Sequence, residues 1–235
     1  MLLCVGMGSG RDALFTSSIC AEFMQKILSS CADKELCLAM LNNFIRAKGI
    51  ECSSSVDLLE IDLITGASCL VKSGAAPSFV KRGENIFRLH SKTAPIGIMK
   101  NPDAERLDFQ LREGDIVVMV SDGIASDEKD SGYLVDFLSS IEITDSENEE
   151  NGDKNSENAI QGAKETLRPA NKKEPVSIHA LRGEINSVKV ESESTATKKV
   201  PILALAETVL ALAEKKRGQR LDDMSVGVVR VKQRG

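Results

Sequence analysis

The chain contains the run Ile116-Val117-Val118-Met119-Val120-Ser121-Asp122-Gly123, in which five apolar residues lead directly into an acidic corner. Continuous apolar character over such a length is typical of a strand that is buried on both faces. The corner places a carboxylate at the end of a rigid element, where a site is held in position and stays open to solvent. The run therefore predicts a central strand that ends in a candidate functional residue, Asp122.

Two further corners of this kind lie near the ends of the chain. At the start, the apolar run from Leu2 to Val5 leads into Gly6-Met7-Gly8-Ser9-Gly10, and near the end Asp222-Asp223-Met224-Ser225 precedes a predicted strand from Val226 to Val231. Hard divalent cations bind the carboxylate and carbonyl oxygens that such corners supply. Each corner taken alone also fits an ordinary turn, so their order along the chain carries the argument.

Helical periodicity predicts two helices between the first corner and the strands. They run from about Asp12 to Ser29 and from Asp33 to Ala47, and Asp33 is suited to cap the second helix. Two more helices are predicted, a short one from Tyr133 to Leu138 and one that starts at Pro201. The apolar face expected to pack in the second helix consists of Leu36, Met40, Leu41, Phe44 and Ile45.

The strands follow one another between turn signals and are separated in sequence from the helices. This arrangement predicts an α+β layered fold, with a mostly antiparallel sheet and packed helices, and not an alternating βαβ fold. Besides the strands at the corners, the predicted strands are 56–63, 68–72, 78–81, 86–89 and 107–111.

One long stretch differs in composition from the rest of the chain. From about 145 to 199 it is rich in Asn, Glu, Ser, Lys and Thr and poor in aromatic residues. Such a composition does not bury enough apolar surface to fold alone. We therefore expect 142–199 to be a disordered insertion between two parts of one core, 1–141 and 200–235.

Composition argues against nucleic-acid binding, a membrane span and a zinc site. The net charge is −5 and no basic stripe is present, which argues against nucleic-acid binding. No apolar run reaches the ~18 residues of a membrane span. Only His90 and His179 are available to complete a zinc site, and no Cys-x-x-Cys pair exists. We expect free, mostly buried thiols in a reducing cytosol for all six cysteines, at positions 4, 20, 31, 37, 52 and 69.

Six motifs taken in order resemble the PPM-type (PP2C-like) serine/threonine phosphatases, most closely the stage II sporulation protein E branch. The resemblance covers about 1–141 and 200–232. The motifs are Gly6 to Gly10 with the helix that contains Ala13, Val56 to Leu63, Val71-Lys72-Ser73-Gly74-Ala75-Ala76-Pro77-Ser78-Phe79, Ala94-Pro95-Ile96-Gly97-Ile98, Val120-Ser121-Asp122-Gly123 and Asp222-Asp223-Met224-Ser225-Val226.

The resemblance implies a metal-dependent protein phosphatase with a PP2C-like layered fold. By resemblance, two Mn²⁺ or Mg²⁺ ions activate a water, Asp122 and Asp222 ligate one of them, and the carbonyl of Gly6 contacts the second. The implied substrate is a phosphoserine or phosphothreonine protein, in this branch an anti-sigma-factor antagonist. Full-length members of this branch carry a membrane region upstream of the domain. For this chain, in which we expect no membrane segment, we expect a cytoplasmic location.

The chain departs from the family pattern in two respects. Val5 occupies the position of the aspartate that bridges both metals in the family, and the family's strands before this motif have no counterpart here. We therefore expect a fold that is incomplete at the N-terminus, with an uncovered sheet edge. We also expect at most one weakly bound ion and impaired activity, because valine offers no ligand oxygen.

Two other interpretations fit parts of the sequence. Loss of the bridging carboxylate also fits a catalytically inactive, phosphatase-like binding module. The run Gly8-Ser9-Gly10-Arg11-Asp12-Ala13 matches the G-x-G-x-x-A pattern of nucleotide-binding folds. That fold requires a second strand after the first helix, whereas this sequence predicts a second helix there.

Overall fold

The computed structural model describes residues 1–31, 33–47, 52–127, 129–145, 184–188, 198–217 and 223–232. In chain order the strands are β1 (Leu2–Gly6), β2 (Ser54–Ile61), β3 (Ala67–Ser73), β4 (Ser78–Arg82), β5 (Asn85–His90), β6 (Glu105–Gln110), β7 (Ile116–Val120), β8 (Ile141–Thr144), β9 (Glu184–Val188), β10 (Lys198–Pro201) and β11 (Val226–Arg230). The helices are α1 (Arg11–Leu28), α2 (Lys34–Ala47), α3 (Gly132–Ser140) and α4 (Leu205–Arg217), and a 3₁₀ turn, Ile202–Ala204, precedes α4.

The strands form two antiparallel sheets and one short parallel pair. The first sheet has the order β1-β2-β3-β6, the second has the order β11-β7-β4-β5-β9, and β8 pairs with β10. The predicted α+β layered fold is confirmed, but the strands divide between two sheets where one was expected. The chain first changes sheet between Ser73 at the end of β3 and Ser78 at the start of β4, returns to the first sheet in β6 and re-enters the second in β7. Strand periodicity does not reveal such a crossing.

The two sheets pack face to face around an apolar core. Alternate side chains of a strand point to opposite faces of a sheet, so the core residues of one strand are spaced two positions apart. The first sheet supplies Leu59, Leu70, Leu107 and Phe109, and the second supplies Val80, Phe87, Leu89, Val117 and Met119.

Helices cover the outer face of each sheet, which completes a four-layer arrangement. Helices α1 and α2 pack on the first sheet through Cys20, Met24, Leu38 and Leu41 against Val56, Leu58 and Val71. Helices α3 and α4 pack on the second sheet through Leu134, Leu138, Leu205 and Val209 against Phe79, Val118 and Val120. Within the described ranges, none of these helices combines the length and the apolar character that a membrane crossing requires.

Helix α2 shows where the sequence prediction held and where it failed. The amide of Leu36 donates to the Asp33 carboxylate at 3.1 Å, so Asp33 caps the helix as expected. The predicted packed face was partly wrong, because Leu36, Met40 and Phe44 are exposed while Leu38, Leu41 and Ile45 are buried. The helix carries apolar residues on two faces, and the sheet covers only one of them.

One whole strand, β9, and parts of β8 and β10 fall within the stretch that we expected to be disordered. Strand β9 extends the second sheet along β5, and the start of β10 pairs with β8. Both segments gain backbone hydrogen bonds from a neighbouring strand, which a prediction from composition does not take into account. The remainder of the predicted insertion, at 146–183 and 189–197, lies outside the described residues. Pro201, expected as the first helical residue, ends β10 and has an extended backbone.

All six cysteines are free thiols, as predicted. Burial, with smaller contributions from Cys20 and Asp57, raises the pKa of Cys4 from 9.0 to about 12. Burial likewise raises the pKa of Cys69 from 9.0 to about 11. A thiol whose pKa is higher in the folded chain binds its proton more tightly there. Its stabilising contribution is therefore complete below pH 9 and is lost as the pH rises through the folded value.

We expect the free energy of unfolding to fall as the pH rises above 9, because these thiols ionise more readily in the unfolded chain. Each thiol contributes a slope of at most ~1.4 kcal/mol per pH unit. Urea titrations between pH 8 and 11 measure this slope, and Cys69→Ala should make it shallower. An identical slope in the parent chain and in Cys69→Ala would show that Cys69 is as easily ionised as an exposed thiol.

Candidate functional site

The corner after β7 lies directly beside the corner that precedes β11. Strands β7 and β11 are antiparallel neighbours in which Val120 is opposite Val226. Beyond that pair, the Ser121 amide donates to the Ser225 carbonyl at 3.0 Å, and the Ser225 amide donates to Ser121 Oγ at 2.9 Å. Ser121 Oγ donates in turn to the Asp223 carbonyl at 3.0 Å. The backbone and the side chain of Ser121 thus join two of the three predicted corners.

Gly123 allows this close approach. A Cβ atom at position 123 would lie 2.3 Å from the Asp223 carbonyl oxygen, so a side chain does not fit there. Asp122 is half-buried, and one of its carboxylate oxygens accepts the Gly123 amide at 3.1 Å. The other predicted ligand, Asp222, lies outside the described residues. Its approach to Asp122 therefore stays a prediction.

The first corner is a tight connection between β1 and α1. A Cβ atom at Gly6 would lie 2.0 Å from the Ala13 carbonyl oxygen, so only glycine lets the end of β1 approach the first turn of α1. Gly8 and Gly10 have φ angles of 94° and 76°, a region that favours glycine. Because α2 follows α1 and the neighbouring sheet is antiparallel, the nucleotide-binding interpretation of this loop is wrong.

Val5 lies at the end of β1 on the face that points between the sheets. It has the same side-chain direction as Leu3, which packs against the core between the sheets. Val5 is half-buried and lies opposite Ser55, and its carbonyl accepts a hydrogen bond from Ser54 Oγ at 3.1 Å. Its two methyl groups therefore occupy the position from which a carboxylate would reach the gap between the sheets.

All three corners lie at one end of the two-sheet sandwich. Strand β3 runs in the same direction as β1, because both are antiparallel to β2. It ends at Ser73, and only four residues separate it from Ser78 at the start of β4, so both residues lie at the end where β1 reaches Gly6. Strand β7 runs antiparallel to β4 with Met119 opposite Ser78, which brings Asp122 to this same end.

The described residues do not fit a two-metal centre. Among them, no group of three or more His, Cys, Asp or Glu side chains is arranged to hold a metal ion. Two metal ions bound close together need bridging carboxylate oxygens, and Val5 supplies none. Asp122 is a suitable oxygen ligand for a hard cation, but alone it does not form a site.

A buried polar cluster beneath these corners was not predicted. Lys72 Nζ lies 2.6 Å from Asp57 Oδ2 and donates to Ser78 Oγ at 2.9 Å, while Ser78 Oγ donates to Asp57 Oδ2 at 2.7 Å. The available signal was a charged residue beside apolar residues in each of two strands, Asp57 between Val56 and Leu58 in β2 and Lys72 after Val71 in β3. An exposed edge position explains such residues equally well, so the sequence does not identify the cluster.

Comparison with known proteins supports the resemblance that the motifs indicated. The family model described as stage II sporulation protein E (SpoIIE) matches residues 2–175. Stage II sporulation protein E of Bacillus subtilis (strain 168) is 36% identical over 120 residues. That match covers 51% of this chain and 14% of the relative, so the chain spans only a small part of the curated protein.

Solved structures show a similar fold. One contains the PP2C phosphatase domain and a fragment of the regulatory domain of the cell fate determinant SpoIIE from Bacillus subtilis. It aligns with a TM-score of 0.62 at 21% identity, over 98% of this chain and 52% of the other. The SpoIIE phosphatase domain from the same species, in a crystal form without domain swapping, aligns with a TM-score of 0.54 at 22% identity. The alignment covers 100% of this chain and 80% of that one.

Proposed function

Because this chain belongs to the stage II sporulation protein E family, we propose that it is a metal-dependent protein serine/threonine phosphatase domain whose activity is impaired by Val5. The observation that carries the proposal is the meeting of the Asp122 corner with the Asp223-Met224-Ser225 corner at the end of the sandwich that β1 also reaches. Family membership supports the phosphatase class, and the apolar side chain of Val5 at this end supports the impairment.

We propose that the substrate is a phosphoserine or phosphothreonine protein, and specifically an anti-sigma-factor antagonist. The support is the resemblance of the motifs to the branch that acts on such regulators. The six free thiols favour a reducing compartment, so we propose a cytoplasmic location for this domain.

For the metal, we propose that Asp122 and Asp222 hold one Mn²⁺ or Mg²⁺ ion weakly and that the Gly6 carbonyl faces the position of a second. Carboxylate number sets the affinity of oxygen sites for hard cations, so a set that lacks one carboxylate binds less tightly. A single ion does not clamp both the attacking water and the phosphate, which is the reason for the proposed impairment.

A catalytically inactive binding module is the second candidate, and the observation that favours it is again Val5. In that case the chain would still dock a phosphorylated regulator without hydrolysing it. Both candidates bind a phosphorylated regulator, but only the phosphatase hydrolyses it. An assay must therefore measure binding and hydrolysis of the same protein.

The proposal predicts turnover close to background by the chain as written, with or without Mn²⁺, and Mn²⁺-dependent turnover after Val5→Asp. The measurement is phosphate release from a phosphorylated anti-sigma-factor antagonist, with binding of the same protein measured in parallel. Val5→Leu is the matched control, because it changes the side chain without adding an oxygen. Strong Mn²⁺-dependent turnover by the chain as written would contradict the impairment. Binding without turnover in both chains would favour the inactive module.

A further inference from the structure

The buried cluster of Asp57, Lys72 and Ser78 connects the two sheets. Asp57 and Lys72 are opposite each other on β2 and β3 of the first sheet, and Ser78 begins β4 of the second. Lys72 and Ser78 are fully buried, and Asp57 is 1% exposed. The three side chains are therefore bonded to one another across the sheet interface, beside the apolar residues that fill most of it.

Such a cluster is a costly way to fill a core. Removing a carboxylate and an ammonium from water is unfavourable, and apolar side chains of similar size often replace a buried ion pair without loss of stability. Burial lowers the pKa of the Lys72 ammonium although the Asp57 carboxylate opposes that shift. In addition, Asp57 Oδ1 makes no hydrogen bond. A gain in stability therefore does not explain the cluster well, whereas a defined geometry between the sheets does.

The cluster lies directly beneath the candidate site. Asp57 is opposite Leu3, two residues before Val5 on β1. Ser78 is opposite Met119, two residues before Ser121 on β7. Side chains two positions apart on a strand lie on the same face of the sheet. Val5 therefore lies on the same face as Leu3, and Ser121 on the same face as Met119, and both faces point between the sheets. The cluster therefore joins the neighbour of the strand that carries Val5, β2, to the neighbour of the strand that leads into Asp122, β4.

We propose that Lys72 is a positioning residue of this site, and that its bonds to Asp57 and Ser78 fix the end of β1 relative to the corner formed by Ser121 and Ser225. Its role as a part of a phosphatase site rests on the proposed function, whereas its mechanical role does not. Loss of Lys72 leaves the Asp57 carboxylate buried without a counter-charge, so Asp57 must take up a proton or the interface must admit water. In either case the charge-assisted bonds of Lys72 to Asp57 and Ser78 are lost at the end where the corners meet.

Amide hydrogen exchange on the chain as written tests the mechanical role. The readout is the protection of the Ser121 and Ser225 amides relative to the Val118 amide in the centre of β7. Lys72→Met should lower this ratio by at least about tenfold, and Ser78→Ala should lower it in the same direction by about threefold. Ser78→Ala keeps the ion pair, so it provides a result if Lys72→Met does not fold.

The matched controls remove buried polar contacts at the other end of the sandwich. Arg82 is at the far end of β4 and donates through Nε to Asp115 Oδ1 at 2.9 Å, and Asp115 is 1% exposed. Arg82→Met should destabilise the fold and leave the protection ratio unchanged. Ser68→Ala is the matched control for Ser78→Ala, because Ser68 is also a buried serine but lies near the start of β3, at the other end of the sandwich. The proposal would be overturned if the protection ratio in Lys72→Met equalled that in Arg82→Met and the ratio in Ser78→Ala equalled that in Ser68→Ala.

A second arm connects the cluster to the metal. In the Val5→Asp chain, Lys72→Met should lower Mn²⁺ affinity by about tenfold, while Arg82→Met should not change it. If Val5→Asp binds no Mn²⁺, the proposed function fails, but the exchange ratio still decides the positioning role. If Mn²⁺ affinity falls equally in Lys72→Met and Arg82→Met, the effect is one of general stability and the positioning role is contradicted.

Discussion

Val5→Asp is expected to raise the affinity of this chain for Mn²⁺ on the order of a hundredfold, because loss of even an outer-shell partner typically costs 10–100-fold in metal affinity. A ligand that bridges two ions has a larger effect than such a partner. It supplies oxygens to both ions, and its charge offsets their repulsion at a separation of ~3.5–4 Å. Valine supplies neither, and its methyl groups disfavour a hydrated cation beside them.

Turnover is expected to return less completely than metal affinity. Metal binding requires oxygens within reach, whereas catalysis also requires the reacting groups to be held in a narrow range of distances and angles. The new carboxylate would extend from the end of β1, which is held by pairing with β2 on one side and by the approach of Gly6 to α1. Small errors in the position of that strand end would reduce turnover more than they reduce binding.

Calorimetric titration of Mn²⁺ into the two chains measures the first effect, and phosphate release from a phosphopeptide measures the second. Asp122→Asn in the Val5→Asp chain is the matched control, because it keeps the side-chain shape and removes the charge. It should return the Mn²⁺ affinity towards that of the chain as written. Tight binding of Mn²⁺ by the chain with Val5 would contradict the prediction and would mean that another residue supplies the bridge.

The local elements and the three corners could be predicted from the sequence because each has a strong local cause. Asp33 caps α2 through its own carboxylate, and β7 is a continuous apolar run that ends at Val120. The close approaches at Gly6 and Gly123 explain why these corners contain glycine. In each case the responsible interaction lies within the segment or depends on the absence of a side chain.

The features that were missed depend on contacts between distant segments. The division into two sheets is set by which strands meet after Ser73, and alternation within one strand does not contain that information. Pairing of β9 with β5 likewise depends on a neighbouring strand. Lys72 and Asp57 are separated by 15 positions, and the sequence alone does not show that both are buried or that Ser78 reaches them from the other sheet.

Gly6→Ala is expected to destabilise the fold by about 3 kcal/mol or more, at the upper end of the cost of overpacking. The added Cβ would lie 2.0, 2.7 and 2.9 Å from the carbonyl oxygen, the carbonyl carbon and the Cα atom of Ala13. All three are backbone atoms, so no side-chain rotation relieves the clash. Relief requires a shift of α1, and that helix is anchored to the first sheet by the buried residues Cys20 and Met24.

Gly132→Ala is the matched control for Gly6→Ala. Gly132 begins α3, and a Cβ atom there would meet nothing within 4 Å. Neither glycine has a positive φ angle, so the two substitutions differ in available space and not in backbone conformation. Alanine is favoured over glycine in helices by up to ~1 kcal/mol, so Gly132→Ala should be neutral or slightly stabilising.

Urea denaturation of both variants gives the comparison, and the same variants in the Val5→Asp chain extend it to the metal. Gly6→Ala should lower Mn²⁺ affinity there, because the shift that relieves the clash moves the carbonyl that we propose to face the second ion. Gly132→Ala should leave Mn²⁺ affinity unchanged. If Gly6→Ala proved as stable as Gly132→Ala, the end of β1 would not be held against α1, and the position assigned to Val5 and Gly6 at the site would be wrong.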